Sequence, residues 1–137
     1  MDPVDFLNVS LRLHASALEE DRRTAISRSY YALYLVLHMD LRNQGVQFTK
    51  GGKDHRWMVY YLLTCADANA SRIGQTLKNL QTDRNKADYS MNARIPSAKS
   101  EFAYRTAQAA VQLYRGLNPT ALNAMVQAIK HLPPPPP

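Results

Sequence analysis

The stretch 83–90, DRNKADYS, places charged side chains where an apolar helix face should continue. Upstream, apolar residues recur four and three positions apart, the spacing of one helix face: Ile73, Leu77 and Leu80. The same face then reaches Arg84 and Asp88. These two can pair on the helix surface, but their order is the less favourable one for the helix dipole, and such a pair contributes only about 0.3–0.5 kcal/mol. A partly buried guanidinium needs a stronger partner, across the helices or across a dimer interface.

A tyrosine-rich segment, SRSYYALY at positions 27–34, is the second candidate for chemistry. Neighbouring residues on a helix point about 100° apart, so at most one of two adjacent tyrosines faces the centre of a core. Tyr30 continues the apolar face, which leaves Tyr31 and Arg28 nearer its edge. The simpler interpretation is that these aromatics pack the core and use their hydroxyls at its boundary. The alternative is that Arg28 and Tyr31 bind substrate.

The third candidate is the basic segment KGGKDHR at positions 50–56, built around the diglycine Gly51–Gly52. Its backbone amides and basic side chains can hold an anion. On spacing alone, however, a solvated loop is the better explanation. Lys53 and, on the neighbouring motif, Lys86 complete the set of candidate substrate-binding residues.

Other kinds of site have no signature in this chain. The four histidines, at positions 14, 38, 55 and 131, form no HxxxH or HExxH pair, so we expect no metal. No GxGxxG or GxxxxGK[ST] segment is present, and we expect no cofactor. The single cysteine, Cys65, has no partner for a disulfide and reads as a small core residue.

Composition favours one soluble domain. The chain has 137 residues, of which 45% are apolar, and a net charge of +6. Because residues 1–21 hold five acidic residues and one arginine, the remainder carries +10. Such a surface can attract nucleic acid, acidic protein or anionic lipid, and charge alone does not choose among them. No segment approaches the roughly 20 apolar residues of a membrane span, and no signal peptide is recognisable, so we expect a cytoplasmic protein.

The residues above must be positioned by helices, because no long stretch alternates with strand periodicity. The predicted helices are 4–20, 21–43, 54–67, 70–89, 98–116 and 119–131. We expect an all-α fold in which four longer helices form an antiparallel up-and-down bundle with one or two short extra helices. Residues 1–132 make the single domain, and 133–137, PPPPP, form a stiff tail that is either inert or docks on an aromatic-lined groove.

Several positions in these helices have specific expected roles. We expect Asp54 and Ser97 to cap helix N-termini, Pro119 to occupy a first helical position and Gly116 to end a helix. One side of the first helix is expected to carry Leu7, Leu11, His14 and Leu18. The alanine-rich fifth helix is expected to turn a set of small and aromatic residues inward: Phe102, Ala103, Ala107, Ala110, Val111 and Tyr114.

Segments in this order resemble the small HEPN-domain proteins. SRSYYALYLVLHMDLR resembles their "RAYYA" second helix, and KDHRW looks like the K-x-H step after the following loop. DRNKADY is similar to their R-x-x-x-D-Y fourth-helix end, and the alanine-rich segment 96–117 looks like the closing helix. The resemblance spans positions 10–117. It implies a four-helix bundle that dimerises, with a cleft at the dimer axis lined by the two fourth-helix ends.

The resemblance also implies an activity. Many HEPN proteins are metal-independent ribonucleases of toxin–antitoxin, CRISPR-linked or phage-defence systems. Their site is an arginine, usually followed by a polar residue, with a histidine four to six residues further on. Arg84 and Asn85 match the first part, but the histidine position falls on Tyr89, Ser90 or Met91. Tyrosine, with an ordinary pKa near 10, is a poor base at neutral pH. His55, in the neighbouring loop, is the one candidate for the missing proton acceptor.

Three hypotheses follow. The first is an RNA-directed ribonuclease, or a degenerate relative of one, with Arg84, Asn85, Asp88 and Tyr89 lining the cleft of a homodimer. The second is a non-catalytic module that binds a nucleotide or RNA, or docks an antitoxin; some relatives pair with a small nucleotidyltransferase that modifies a tyrosine near the motif. The third is a purely structural helical dimer.

Overall fold

The computed structural model describes residues 1–48 and 53–135. This part of the chain contains six helices and no strand, which confirms the predicted all-α class. The helices are α1 Asp5–Leu13, α2 Glu19–Asn43, α3 Asp54–Thr64, α4 Ala68–Tyr89, α5 Ser97–Arg115 and α6 Pro119–Lys130. None of those helices is both long and apolar enough to cross a membrane. The predicted Gly51–Gly52 turn and the last two prolines lie outside the described residues.

Helix α2 is the centre of the fold. It packs against α1, α4 and α5, while α3 packs against α4 and α1 also reaches α5. A helix with several partners needs apolar side chains on more than one face, and α2 supplies them over most of its length. Nine positions on and beside the apolar face of α2 are buried: Ala25, Ile26, Ser29, Tyr30, Ala32, Leu33, Tyr34, Val36 and Leu37. Each large apolar side chain buried here contributes about 1.5–3 kcal/mol.

The first helix is shorter than predicted. It ends at Leu13 rather than near position 20, and α2 begins at Glu19. The break is stabilised by side chains of α2: Arg22 donates to the carbonyl of Ser16 at 2.8 Å, and the Ser16 hydroxyl donates to Asp21 at 2.7 Å. These bonds satisfy polar groups that a continuous helix would have satisfied internally.

Three of the expected core positions are wrong. Leu7 is buried, but Leu11 and Leu18 are exposed, because α1 is short and Leu18 belongs to the break before α2. Phe102 is 59% exposed, whereas the small residues of α5, Ala103 and Ala107, are fully buried. Small side chains let α5 approach α2 closely, so the alanines face inward and the phenylalanine does not.

Two predicted N-caps are also wrong. Asp54 is the first residue of α3 rather than its cap, because its carboxylate accepts a hydrogen bond from His38. Ser97 is likewise the first residue of α5, and Pro96 occupies the cap position. The expected roles of Pro119 as a first helical residue and of Gly116 as the end of α5 are confirmed.

The C-terminal end of α4 is held by an arginine of α2. Arg23 donates to the carbonyls of Ala87 at 2.8 Å and Ser90 at 3.1 Å, and also to that of Ala93. A cation at this end of a helix satisfies carbonyls that lack helical partners and opposes the helix dipole favourably. Arg23 therefore fixes the helix end that carries DRNKADYS.

Candidate anion-binding site at Arg84

Arg84 lies on α4 with only 17% of its side chain exposed. One terminal nitrogen donates to the hydroxyl of Tyr31 on α2, and the other donates to the side-chain oxygen of Asn85 at 2.9 Å. A planar guanidinium held by two acceptors keeps a fixed orientation. A guanidinium on the apolar face of a helix needs a partner on another helix, and the hydroxyl of Tyr31 is that partner.

Aromatic rings complete the surroundings of Arg84. Its guanidinium carbon lies 5.1 Å from the ring centre of Tyr31, 5.5 Å from that of Tyr30 and 5.8 Å from that of Tyr89. Such cation–π contacts contribute about 0.5–1 kcal/mol at exposed sites and about 2 kcal/mol when desolvated. The positive charge on the apolar stripe is therefore stabilised by ring faces rather than by a buried carboxylate.

The predicted pair between Arg84 and Asp88 is present but poorly aligned. The Nε atom lies 3.2 Å from a carboxylate oxygen of Asp88, yet the angle makes no hydrogen bond, and this buried nitrogen is left without one. The same carboxylate oxygen accepts from the hydroxyl of Ser27 at 3.4 Å. Asp88 thus offsets the charge of Arg84 without fully occupying its donors.

Arg84 and the rings of Tyr30, Tyr31 and Tyr89 form what we call the Arg84 cluster. His55, from the first turn of α3, joins this cluster. Its Nδ1 shares a hydrogen bond with the Tyr30 hydroxyl, and its ring stacks on Tyr34 with centres 4.0 Å apart. The ring centre of Tyr31 lies 6.1 Å away, nearly perpendicular. Burial, followed by the positive charge of Arg84, lowers the pKa of His55. His55 is therefore held in its neutral form at pH 7.

A row of aromatic residues along α2 was not predicted from the sequence. Tyr30, Tyr34 and His38 are four residues apart, and their successive rings stack at 5.9 Å and 5.4 Å. His38 also contacts the carboxylate of Asp54 at 2.9 Å. Burial raises the pKa of Tyr34 to about 12 and also raises that of Tyr30. The i, i+4, i+8 spacing is the signal that could have found this row.

The remaining predicted residues divide into two groups. Arg28 lies over the rings of Tyr31 and Phe6, at 5.1 Å and 5.0 Å, so it borders the cluster. Lys53 and Lys86 are exposed, and within residues 1–48 and 53–135 no hydrogen bond or ion pair joins their side chains to it. Tyr89 is 72% exposed although its ring faces Arg84.

Metal coordination is not suggested by the arrangement. Among the residues that the structure describes, no three His, Cys, Asp or Glu side chains are grouped so as to hold an ion. What the cluster offers instead is a fixed guanidinium, a neutral imidazole and several aromatic faces. These groups can bind a phosphate oxygen, exchange a proton and stack on a planar ring.

Comparison with known proteins gives no family for this chain. No protein-family model, no curated protein and no solved structure matches it.

Proposed function

We propose that the Arg84 cluster binds a phosphate group of RNA, and that the protein is a HEPN-type RNA-directed effector of a toxin–antitoxin, CRISPR-linked or phage-defence system. The activity is that of a metal-independent endoribonuclease or a degenerate relative of one. The observation that supports it most is that Arg84 of α4 and His55 of α3 enter one aromatic cluster through adjacent tyrosines of α2, Tyr31 and Tyr30. In this proposal His55 of α3 supplies the histidine that the motif on α4 lacks.

Arg84 would hold the phosphate in this mechanism. A phosphate oxygen is a stronger acceptor than the Asn85 amide, and a guanidinium can engage two phosphate oxygens at once. The rings of Tyr31 and Tyr89 beside it offer faces on which an unpaired base can stack, which is how single-stranded RNA is commonly bound.

His55 would act as the proton acceptor. When its Nδ1–H donates to the oxygen of Tyr30, its Nε2 keeps a free lone pair, which a general base requires. The base removes the proton of the ribose 2′-hydroxyl, the 2′-oxygen forms a bond to phosphorus, and the bond from phosphorus to the 5′-oxygen breaks. The leaving oxygen takes up a proton from water. The lowered pKa of His55 keeps its imidazole unprotonated, which is the form that can accept that proton.

We also propose that two copies of a four-helix up-and-down bundle form the complete cleft. The packing of α2 against α1, α4 and α5, and of α5 against α1 and α4, supports such a bundle, with α3 and α6 as additional helices. Tyr89 and Met91, at the end of α4, are large, apolar and mostly exposed. An apolar surface beside the Arg84 cluster is what an interface between copies would cover.

A second candidate is a module that binds RNA or a nucleotide without cutting it. The exposed position of Tyr89, where the resemblance expects a histidine, favours this function. An accessible tyrosine hydroxyl beside an arginine is also a position that a nucleotidyltransferase-type antitoxin could reach. The two candidates share the phosphate contact of Arg84 and differ in whether His55 takes a proton.

The test is cleavage of bulk RNA in EDTA by the native chain, Arg84→Ala, His55→Ala and the control Arg105→Ala. Arg105 is suited as control because it removes the same charge from another arginine–carboxylate pair. We expect Arg84→Ala to lower the rate by about 10²–10³-fold, His55→Ala by about 10²–10⁴-fold, and Arg105→Ala to cleave normally. Equal cleavage rates for the native chain and the three variants would contradict the proposal that Arg84 and His55 are catalytic.

If no variant cleaves, RNA affinity decides between the remaining candidates. Arg84→Ala removes one cation from the phosphate, so it should weaken binding and reduce the salt slope by about 0.7 for single-stranded RNA. Under the binding function, His55→Ala leaves that slope unchanged. Affinity and slope unchanged in Arg84→Ala as well would exclude both candidates and leave the cluster with a structural role.

A further inference from the structure

Pro133 and Pro134, the first residues of the proline run, meet an aromatic surface that the Arg84 cluster does not use. Trp57 and Tyr61, one turn apart on α3, line a cavity of about 270 Å³ together with Ile129 and Leu132. Pro134 forms part of its wall. The rings of Trp57 and Tyr61 meet almost at right angles with centres 5.9 Å apart, so they present a ridged rather than a flat surface.

A hydrogen bond fixes the run at its first residue. The hydroxyl of Tyr60 donates to the carbonyl of Pro133 at 3.0 Å. Proline has no backbone N–H, so its carbonyl is the one polar group through which a proline run can be held. Aromatic ridges plus a side-chain donor to a proline carbonyl are the features that polyproline-binding surfaces use.

We propose that Trp57, Tyr60 and Tyr61 form a polyproline-binding groove, and that its occupant is the chain's own proline run, bound within the same molecule. Leu132 lines the groove and immediately precedes Pro133, so the run needs no linker to reach it. Its effective concentration at the groove is therefore high. A polyproline helix is stiff before it binds, so docking orders little additional chain.

Docking would restrain α3 at two successive turns. The side chain of Lys130 lies against Gly45, with its Nζ 3.1 Å from where a Cβ on that glycine would sit, and both residues line the cavity. The first prolines of the run, α6 and α3 thus meet at one cavity. Because α3 also carries His55, the run would stabilise the helix that positions the imidazole, without contacting the Arg84 cluster itself.

The test uses the fluorescence of Trp57, which is the only tryptophan of the chain. The full chain is compared with a chain ending at Leu132 and with one whose residues 133–137 are replaced by glycine and serine. We expect both altered chains to show red-shifted emission and stronger quenching by acrylamide, because the indole loses its proline cover. Added pentaproline peptide should reverse the change in the shortened chain.

Two further variants keep the test specific. Tyr60→Phe removes only the hydroxyl that holds Pro133, and should weaken docking roughly two- to tenfold. The control Tyr104→Phe removes a hydroxyl that bonds Gln108, away from the groove, and should leave emission unchanged. Identical emission and quenching in the full, shortened and glycine–serine chains would overturn the proposal. A difference between the full and shortened chains that appears only as the protein concentration rises would also overturn it, since the run would then dock on a second copy. The fluorescence test does not depend on RNA cleavage, so its result and that of the ribonuclease proposal are independent.

Discussion

Two arginine–carboxylate pairs with the same four-residue spacing behave differently in this protein. Arg105 and Glu101 on α5 form a well-aligned pair at 2.7 Å, yet the arginine side chain is 73% exposed. Arg84 and Asp88 on α4 form a misaligned pair at 3.2 Å, yet the arginine side chain is only 17% exposed. The pair with the better geometry is the one that water surrounds.

The difference shows what each arginine depends on. Among the residues that the structure describes, Arg105 is held by the carboxylate of Glu101 alone, and an exposed pair of this kind contributes about 0.3–0.5 kcal/mol. Arg84 is held by the Tyr31 hydroxyl, by Asn85 and by three ring faces, so its carboxylate is the least of its partners. A side chain fixed by so many neutral groups keeps its charge available to a ligand.

Apart from RNA cleavage, the largest expected difference between the two arginines is in stability. Arg84→Ala removes a partly buried side chain and leaves the Tyr31 hydroxyl without its donor, so we expect a loss of about 1–3 kcal/mol in the free energy of unfolding. Arg105→Ala should change it by no more than about 0.5 kcal/mol. Urea denaturation of both variants checks this. Equal losses would mean that burial and aromatic contact add nothing to the pair on α4.

Some parts of the fold could be predicted from the sequence and others could not, because some depend on residue spacing and others on contacts between distant residues. The buried face of α2 could be predicted because its apolar spacing is regular and unbroken by glycine or proline. The break between α1 and α2 could not, because it depends on a hydrogen bond that Arg22 donates to the carbonyl of Ser16 and on one that the Ser16 hydroxyl donates to Asp21. Phe102 was misplaced because helix spacing alone does not say which small residues set the approach of two helices.

The candidate site was predicted in the same uneven way. The position of Arg84 on an apolar face already required a partner across the helices, but the spacing could not identify Tyr31 as that partner. His55 was one of four histidines without a local motif, and its contact with Tyr30 arises only when α3 folds against α2. The row formed by Tyr34 and His38 carried a usable periodic signal in its four-residue spacing.

A double-mutant cycle sharpens the comparison. Tyr31→Phe, combined with Arg84→Ala, measures the coupling of the hydroxyl to the guanidinium, which we expect to be about 1 kcal/mol or more because the donor is charged. The cycle of Glu101→Ala with Arg105→Ala should give about 0.3–0.5 kcal/mol. Free energies of unfolding for the native chain and for the single and double variants of each cycle check both values. A coupling between Tyr31 and Arg84 no larger than that of the exposed pair would contradict the assignment of Tyr31 as the principal partner.

The smallest expected effect is electrostatic and reaches His55. The charge of Arg84 is, after burial, the next cause of the lowered pKa of that imidazole. The pKa of His55 is lower in the folded chain than in the unfolded chain. As the pH falls, the unfolded chain therefore takes up the proton first. The native chain should therefore keep the stability due to neutral His55 above about pH 6.5 and lose it as the pH falls further.

Arg84→Ala removes that charge, so the pKa of His55 should rise toward its ordinary value and the loss of stability in acid should become shallower. Arg105→Ala should change neither quantity, because it is not among the charges that act on His55. Titration of the His55 ring protons by NMR, together with unfolding measured across the same pH range, checks both effects. If the His55 titration in Arg84→Ala matched that of the native chain, the two side chains would not act on each other, and a shared phosphate site between them would lose its electrostatic basis.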